Sequence, residues 1–244
     1  MFSKLTAYLF GIGILIACLT TSCKDDTEIP ANQVVRFQFN AKSGSNDFGV
    51  GDIYTNAAAQ RYNILTLLFY VSHLQLNKSD GTTVTLSDVE LYDLITPSTI
   101  VKTIPTGSYT GISFGLGLDS TLNATDPATL QAPNPLSYAI APYWGWAAKY
   151  IFAKIEGFVT ADATATPTTP FLFHTGTDQL FRQVNIARNF EIGADTLDLN
   201  VTLNLDKLWS NPQTIDLINN GYTQTVDNFP DAETFVNNFA VAFE

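Results

Sequence analysis

The chain carries only two histidines, His73 in "YVSHLQL" and His174 in "FLFHTG". Imidazole is the side chain most often recruited for metal ligation and for proton transfer near neutral pH, so what these two do is the first chemical question the sequence raises. Around His73 the odd positions run Leu65, Leu67, Phe69, Val71, His73, Gln75, Asn77, apolar first and polar last. That order puts His73 where a strand face passes from core to rim. His174 follows the apolar "PFLF" and precedes "TGT", again near a strand end. Two rim histidines could meet. A pair of neutral imidazoles can hold Cu(I) in a near-linear arrangement, and the softness of such a site favours copper over hard ions that want several oxygens. Zinc ordinarily takes three or four protein ligands, which would need carboxylates that the pattern does not identify. Spacing alone leaves the plainer alternative open, that each histidine is a structural residue with its ring nitrogens satisfied.

Other chemistry-bearing patterns carry less. "GISFG", Gly111 to Gly115, matches G-x-S-x-G, but a hydrolase elbow needs a sharp strand-to-helix turn that lifts the serine above the sheet. Ser113 instead sits inside a strand whose alternation continues through Leu118, with no helical segment after it. "SDVELYD" places Asp88 and Glu90 on one strand face, a spacing common on exposed strands, and a glycosidase would further need a cleft between them. Oxygen ligands for calcium could come from Asp119, Asn123 and Asp126 in "LDSTLNATD", although no EF-hand pattern organises them. No catalytic residue is assigned, and the chain is read as a non-enzyme.

The elements that must position these residues are strands. In "SYTGISFGLGLD" Ile112, Phe114, Leu116 and Leu118 share one face, and Gly111, Ser113, Gly115 and Gly117 the other. "VVRFQF" puts Val35, Phe37 and Phe39 on one face, and "RYNILTLLFYVSHLQLN" is long enough for a core strand. Further period-2 candidates are "KYIFAKIEGFVT", "TPFLFHTG", "FRQVNIARNFEI" and "DTLDLNVTLNLDKLW", separated by turn signals such as "SDGT", "PTGS", "APNP" and "ATPTTP". Strands of this number and spacing predict an all-β fold, an antiparallel two-sheet β-sandwich. Helix is sparse. "DAETFVNNFAVAF" is the best candidate, with Asp231 as its cap and Phe235, Phe239 and Val241 docking on the sandwich.

The N-terminus reads as an export leader, with Lys4 as the positive n-region and Leu5 to Leu19 as an apolar run too short for a comfortable membrane span. Both cysteines, Cys18 and Cys23, fall here, so disulfides and thiolate metal sites are excluded from the exported domain. "LIAC" at Cys18 matches a lipobox, while "SCKDD" at Cys23 resembles the start of bacterial surface lipoproteins, and Cys23 is taken as the lipidated residue. The expected organisation is a signal peptide over 1–22, a tether over 23–32 and one domain over 33–244. The expected location is the outer membrane or cell surface, or alternatively the periplasm, with membrane contact only through a lipid anchor.

Composition agrees with one globular domain. The chain has 244 residues, 45% hydrophobic and 14% charged, which is neither disordered nor membrane-spanning composition. A formal charge of −11 repels nucleic acid phosphates and anionic lipid headgroups, so no nucleic acid partner is expected.

The order of segments adds a family. "FQFNAKSG", "YTNAAAQRYNILTLLFYVSHLQL", "GSYTGISFGLGLDSTLN", "PYWGWAAKYIFAKIEG" and "FLFHTG" follow one another in a way that resembles the MbnP-like copper-binding proteins, associated with methanobactin and methanotroph copper uptake. The resemblance covers most of residues 34 to 176. Its most specific pieces are W-x-W followed by the aromatic strand ending Glu156-Gly157, and "FLFHTG". It implies an exported β-sandwich in which copper is held by two histidines and an oxidised tryptophan, a kynurenine made by a partner dihaem peroxidase-like protein. His174 falls on the family's histidine in the H-x-G segment. His73 stands where many relatives carry Asn or Asp, and Phe69 and Val71 occupy the stretch where the modified tryptophan would lie. Trp144 and Trp146 could flank the ion with an indole face, or form a packed aromatic pair closing the sandwich. Trp209 reads as packing. The resemblance thus predicts a metal site at His73 and His174, flanked by Trp144 and Trp146. A metal-free surface lipoprotein that binds protein or glycan is the alternative, and a hydrolase a distant third.

Overall fold

The structure, a computed structural model, describes residues 31–244. The expected leader, with Cys18 and Cys23, and all but the end of the expected tether lie outside the described residues. The strands in chain order are β1 (Asn32–Ser43), β2 (Asn46–Asp47), β3 (Tyr54–Thr55), β4 (Arg61–Lys78), β5 (Thr83–Asp93), β6 (Thr99–Pro105) and β7 (Gly107–Leu116). After the short helix α1 (Ser120–Asn123) come β8 (Ile151–Thr160), β9 (Thr169–Gly176), β10 (Arg182–Ile192), β11 (Leu197–Asn204), α2 (Leu205–Leu208), β12 (Tyr222–Thr223) and α3 (Phe229–Val241).

Two sheets face each other, as the strand pattern requires. In the smaller, β1 is paired on one side with β11 and on the other with β6 and β2; in the larger, the order is β10-β7-β4-β8-β9-β12, with β3 and β5 also pairing with the long β4. Both sheets are mixed rather than purely antiparallel, because β1 pairs with β11, and β9 with β12, in parallel. Val35, Phe37 and Phe39 of β1 are fully buried, and the Phe39 ring meets Phe69 of β4, Tyr92 of β5 and Phe114 of β7 edge-on. Those edge-to-face contacts join the two sheets into one core. Trp209 is buried there too, between Tyr62, Phe171 and Phe173, as its reading as a packing residue expected.

The C-terminal helix exists with shifted details. Its N-cap is Asn228, with Pro230 in the first turn, and Asp231 lies inside the helix rather than capping it. Phe235 and Phe239 dock on the core, against Phe173 and Phe69, but Val241 points outward and is about half exposed. Ala242 and Phe243 are buried in its place, because the helix face that meets the core runs through positions 232, 235, 236 and 239 and on to 242 and 243.

Strand β4 does not keep one parity. Its core-facing residues are Tyr62 and Ile64, then Leu67, Phe69 and Val71, then Leu74 and Leu76. An irregularity of register between Ile64 and Thr66 makes Leu65 an extra, 45% exposed residue, and another between Ser72 and Gln75 does the same at His73. Each bulge flips the side chains that follow to the other face. The expected face of seven odd positions therefore holds only from 67 to 71, and His73 is not the rim member of a core face but the bulge residue itself, with φ of +50°.

Between β7 and β8 the chain makes a long excursion, roughly residues 117–150, over the outer face of the larger sheet. Gly117, at φ +95°, starts it, and a side chain there would collide with the Phe152 ring. Beneath the excursion a second small core forms from Tyr70, Leu118, Leu136, Tyr150 and Phe152. Leu118 thus leaves the face it shares in sequence with Ile112, Phe114 and Leu116. The tyrosine hydroxyls pin the excursion down, Tyr70 donating to the Pro135 carbonyl and Tyr150 to that of Leu136, each at 2.8 Å.

Candidate functional site

The uncovered part of this outer face spans β4, β8 and β9, and its residues sit in cross-strand rows. Leu68, Lys154 and His174 are aligned in one row, Thr66, Glu156 and Leu172 in the next. Because β8 faces the main core with Ala153, Ile155 and Val159, its two charged residues, Lys154 and Glu156, are forced outward together. Glu156 then becomes the hub. It accepts a hydrogen bond from Thr66 Oγ1 at 2.9 Å on one carboxylate oxygen; the other lies 2.8 Å from His174 Nε2 and 3.4 Å from Lys154 Nζ.

The protonation states follow from this arrangement. Burial, the largest influence on Glu156, pushes its pKa up, but the Thr66 hydroxyl, the His174 ring and the Lys154 ammonium outweigh it and hold the carboxyl below the ordinary glutamate value. For His174, burial is again the largest influence and pushes the pKa down; Glu156 pulls it back only in part, and the net value is below that of an ordinary histidine. The ring is therefore neutral at pH 7. An ionised carboxylate can only accept, so Nε2 carries the proton and Nδ1 holds the free lone pair. A carboxylate that fixes the tautomer through one ring nitrogen is the arrangement in which the other nitrogen ligates a metal.

Trp144 reaches the same strand at Gly176. Gly176 is two positions after His174 and so on the same strand face, about 7 Å along. A Cβ at 176 would sit 2.8 Å from Trp144 Cζ3, so the indole rests where that side chain would be. Trp146 packs against Trp144 with ring centroids 4.6 Å apart and planes tilted by 34°, and is 39% exposed.

The structure does not bring His73 to His174. The register aligns His174 with Lys154 and Lys154 with Leu68, while His73 is five residues further along β4. Five residues of strand and two strand spacings separate the Cα atoms by roughly 18 Å. Imidazole nitrogens sharing one ion at about 2 Å each must lie within about 4 Å. The two-histidine set expected from the sequence therefore does not form. His73 instead pairs with Asp119, Nε2 to Oδ2 at 2.6 Å, at the other end of the excursion. The second oxygen of Asp119 caps α1 through the Thr121 and Leu122 amides. Burial, the largest influence, raises the pKa of Asp119, yet those amides and the His73 bond together leave it below the usual aspartate value.

The remaining expectations can be placed. Asn123 and Asp126 do not gather with Asp119 as calcium ligands: Asn123 is buried and bonded to Asp178, and Asp126 caps the Ala128 amide. Among the described residues no group of three or more His, Cys, Asp or Glu is arranged to hold a metal ion. Ser113 lies within β7, bonded to Asn77, with no elbow. Glu90 accepts from Ser87 on β5. Sequence reasoning did not single out Thr66 and Lys154, and took Glu156 only as part of a motif. Its available signal was the pair of charges at period 2 in "KYIFAKIEGFVT", an otherwise apolar strand.

The MbnP family model matches residues 32–228. The chain belongs to the MbnP family. MbnP from Methylosinus trichosporium is a solved structure with the same fold, 19% identical, with 76% of this chain and 79% of that chain covered and a TM-score of 0.50. At that identity the likeness speaks for the fold alone, a β-sandwich. No curated protein sequence matches significantly. Within this family member, the face carrying His174 and Trp144 is where the family motifs noted in the sequence, W-x-W, Glu156-Gly157 and H-x-G, come together.

Proposed function

We propose that this MbnP-family chain is an exported, lipid-anchored protein that captures copper through His174, with Trp144 as the flanking ring and with His73 outside the centre. The observation that carries the reading is the state of His174: neutral, largely shielded, its tautomer held by Glu156 so that Nδ1 is the free donor, and an indole from the excursion packed over Gly176, two residues further along the same strand. A neutral imidazole and an electron-rich ring face suit a soft, singly charged ion. One imidazole leaves the coordination incomplete, so the cargo is copper that brings a further donor with it or takes one from a partner. If a dihaem peroxidase-like partner oxidises a tryptophan here, Trp144 is the one whose product would stand beside His174. The anchor at Cys23 would hold the domain at a membrane outside the cytoplasm, and the acidic surface would keep it soluble there.

Copper titration of the metal-free protein, repeated with His174→Ala and His73→Ala, tests this. Loss of uptake in His174→Ala with retention in His73→Ala is expected. Equal uptake by the wild type and His174→Ala would overturn it.

A metal-free scaffold is the second reading, favoured by an apolar groove of about 350 Å3 next to Glu156, walled by Leu65, Phe158, Pro170 and Leu172. In that case copper uptake would be the same in all three proteins and a Leu65→Lys change would abolish partner binding.

A further inference from the structure

A pocket of about 330 Å3 lies where β9 ends, lined by Asn123, Lys149, Thr177, Asp178, Val226 and Phe229 among others. It holds both signs of charge. Lys149 and Asp178 both face it, yet they form no ion pair with each other, and among the described residues the Lys149 ammonium has no hydrogen-bond or ion-pair partner. Asp178 accepts one bond, from Asn123 Nδ2 at 2.8 Å, through one oxygen only. Val226 and Phe229 supply apolar lining.

The backbone around this pocket is strained. Lys149 has φ of +62° and Thr177 of +75°, and Thr225, next to Val226, has +67°. For β-branched threonine such values are outliers, and each costs on the order of 1–3 kcal/mol that the surrounding fold must impose. Of the five non-glycine residues with positive φ among the described residues, two, Lys149 and Thr177, line this pocket, and a third, Thr225, adjoins its lining residue Val226. The Thr177 hydroxyl is also buried without a partner among the described residues. Strain and unsatisfied polar atoms of this kind concentrate where a ligand is met.

We infer that this pocket binds a small zwitterion, an α-amino acid with an apolar side chain. Its carboxylate would meet Lys149, its ammonium Asp178, and its side chain Val226 and Phe229. A ligand with one charge would leave the opposite pocket charge without a partner and forgo that contact.

The test is isothermal titration of the intact protein, with a chelator present, using L-leucine, N-acetyl-L-leucine and L-leucinamide as probes. Leucine should bind saturably and each capped form at least tenfold more weakly, a difference of about 1.4 kcal/mol. Lys149→Gln and Asp178→Asn should each weaken leucine at least tenfold while melting like the wild type, and His174→Ala should leave leucine binding unchanged. Absence of saturable heat with leucine, or N-acetyl-leucine or leucinamide binding as tightly as leucine, would overturn the inference. The capped ligands keep it falsifiable even where a variant fails to fold.

Discussion

His174 on β9 donates a hydrogen bond from Nε2 to Glu156 on β8 across a diagonal of the sheet, at 2.8 Å. The bond depends on register rather than on sequence distance: Glu156 stands directly opposite Leu172, and only the step of two along β9 brings the ring within reach. It binds a neutral imidazole to an ionised carboxylate on a face shared with Thr66 and Lys154 and with the apolar Leu65, Leu68, Phe158 and Leu172.

The protonation of this pair sets a pH dependence. His174 has a folded pKa below its unfolded value of 6.5, so its contribution to stability is complete above 6.5 and is lost as pH falls through 6.5 toward the folded value. Glu156 is also depressed, below 4.5, and its contribution is lost only as pH falls below 4.5. Urea unfolding of the wild type should therefore weaken in two separate acid windows. His174→Gln, which cannot titrate, should lack the upper one. Identical slopes in the two proteins between neutral pH and about pH 5 would contradict this.

His73 predicts an inverted glycine effect. In a strand interior glycine usually costs about 0.5–1 kcal/mol relative to alanine. At φ of +50° the balance reverses, because alanine keeps the strain and glycine releases it, while both lose the bond to Asp119. His73→Gly should be more stable than His73→Ala by about 1 kcal/mol in chemical denaturation. A more stable alanine variant would mean that the bulge relaxes when the ring is removed.

Gly157 tests the geometry beside Glu156. A Cβ there would run into the Asn63 carbonyl and lie 2.9 Å from Phe171 Cζ, whereas at Gly193 it would meet no heavy atom within 4 Å. Gly157→Ala should cost about 1–3 kcal/mol or more and disturb the pairing of β4 with β8. Gly193→Ala should be near neutral. Thermal melts of the two variants side by side decide it.

Much of this architecture is legible in the sequence, and what is not has identifiable causes. Val35, Phe37 and Phe39, and Ile112, Phe114 and Leu116, lie on the faces their alternation predicts, because each strand is regular over that stretch. Strand β4 is different, since two bulges change its parity. Its sequence does carry the trace, with apolar residues moving from even positions (Tyr62, Ile64) to odd (Leu67, Phe69, Val71) and back to even (Leu74, Leu76). The trace is masked because Tyr70 and Ser72 are also buried, under the excursion. The masked bulge puts His73 off the face that simple alternation predicts, and pairing order, which is not encoded locally, puts it too far from His174. Glu156 could be noticed as a charge in an apolar strand, but its bond to His174 needed the register.

The tryptophans offer the last prediction. Trp209 is fully buried among Tyr62, Phe171 and Phe173, while Trp146 is exposed and packed at a tilt against Trp144, which covers Gly176 at the end of the His174 strand. Fluorescence should thus contain a blue-shifted, unquenchable component from Trp209 and a component open to acrylamide from the Trp144–Trp146 pair. If copper is held at His174, titration should quench the second component and spare the first. Trp144→Phe should weaken copper-dependent quenching and Trp209→Phe should leave it intact, although the latter change removes core volume and should cost about 1–3 kcal/mol of stability. Quenching that survives in His174→Ala but disappears with Trp209→Phe would place the ion in another part of the molecule.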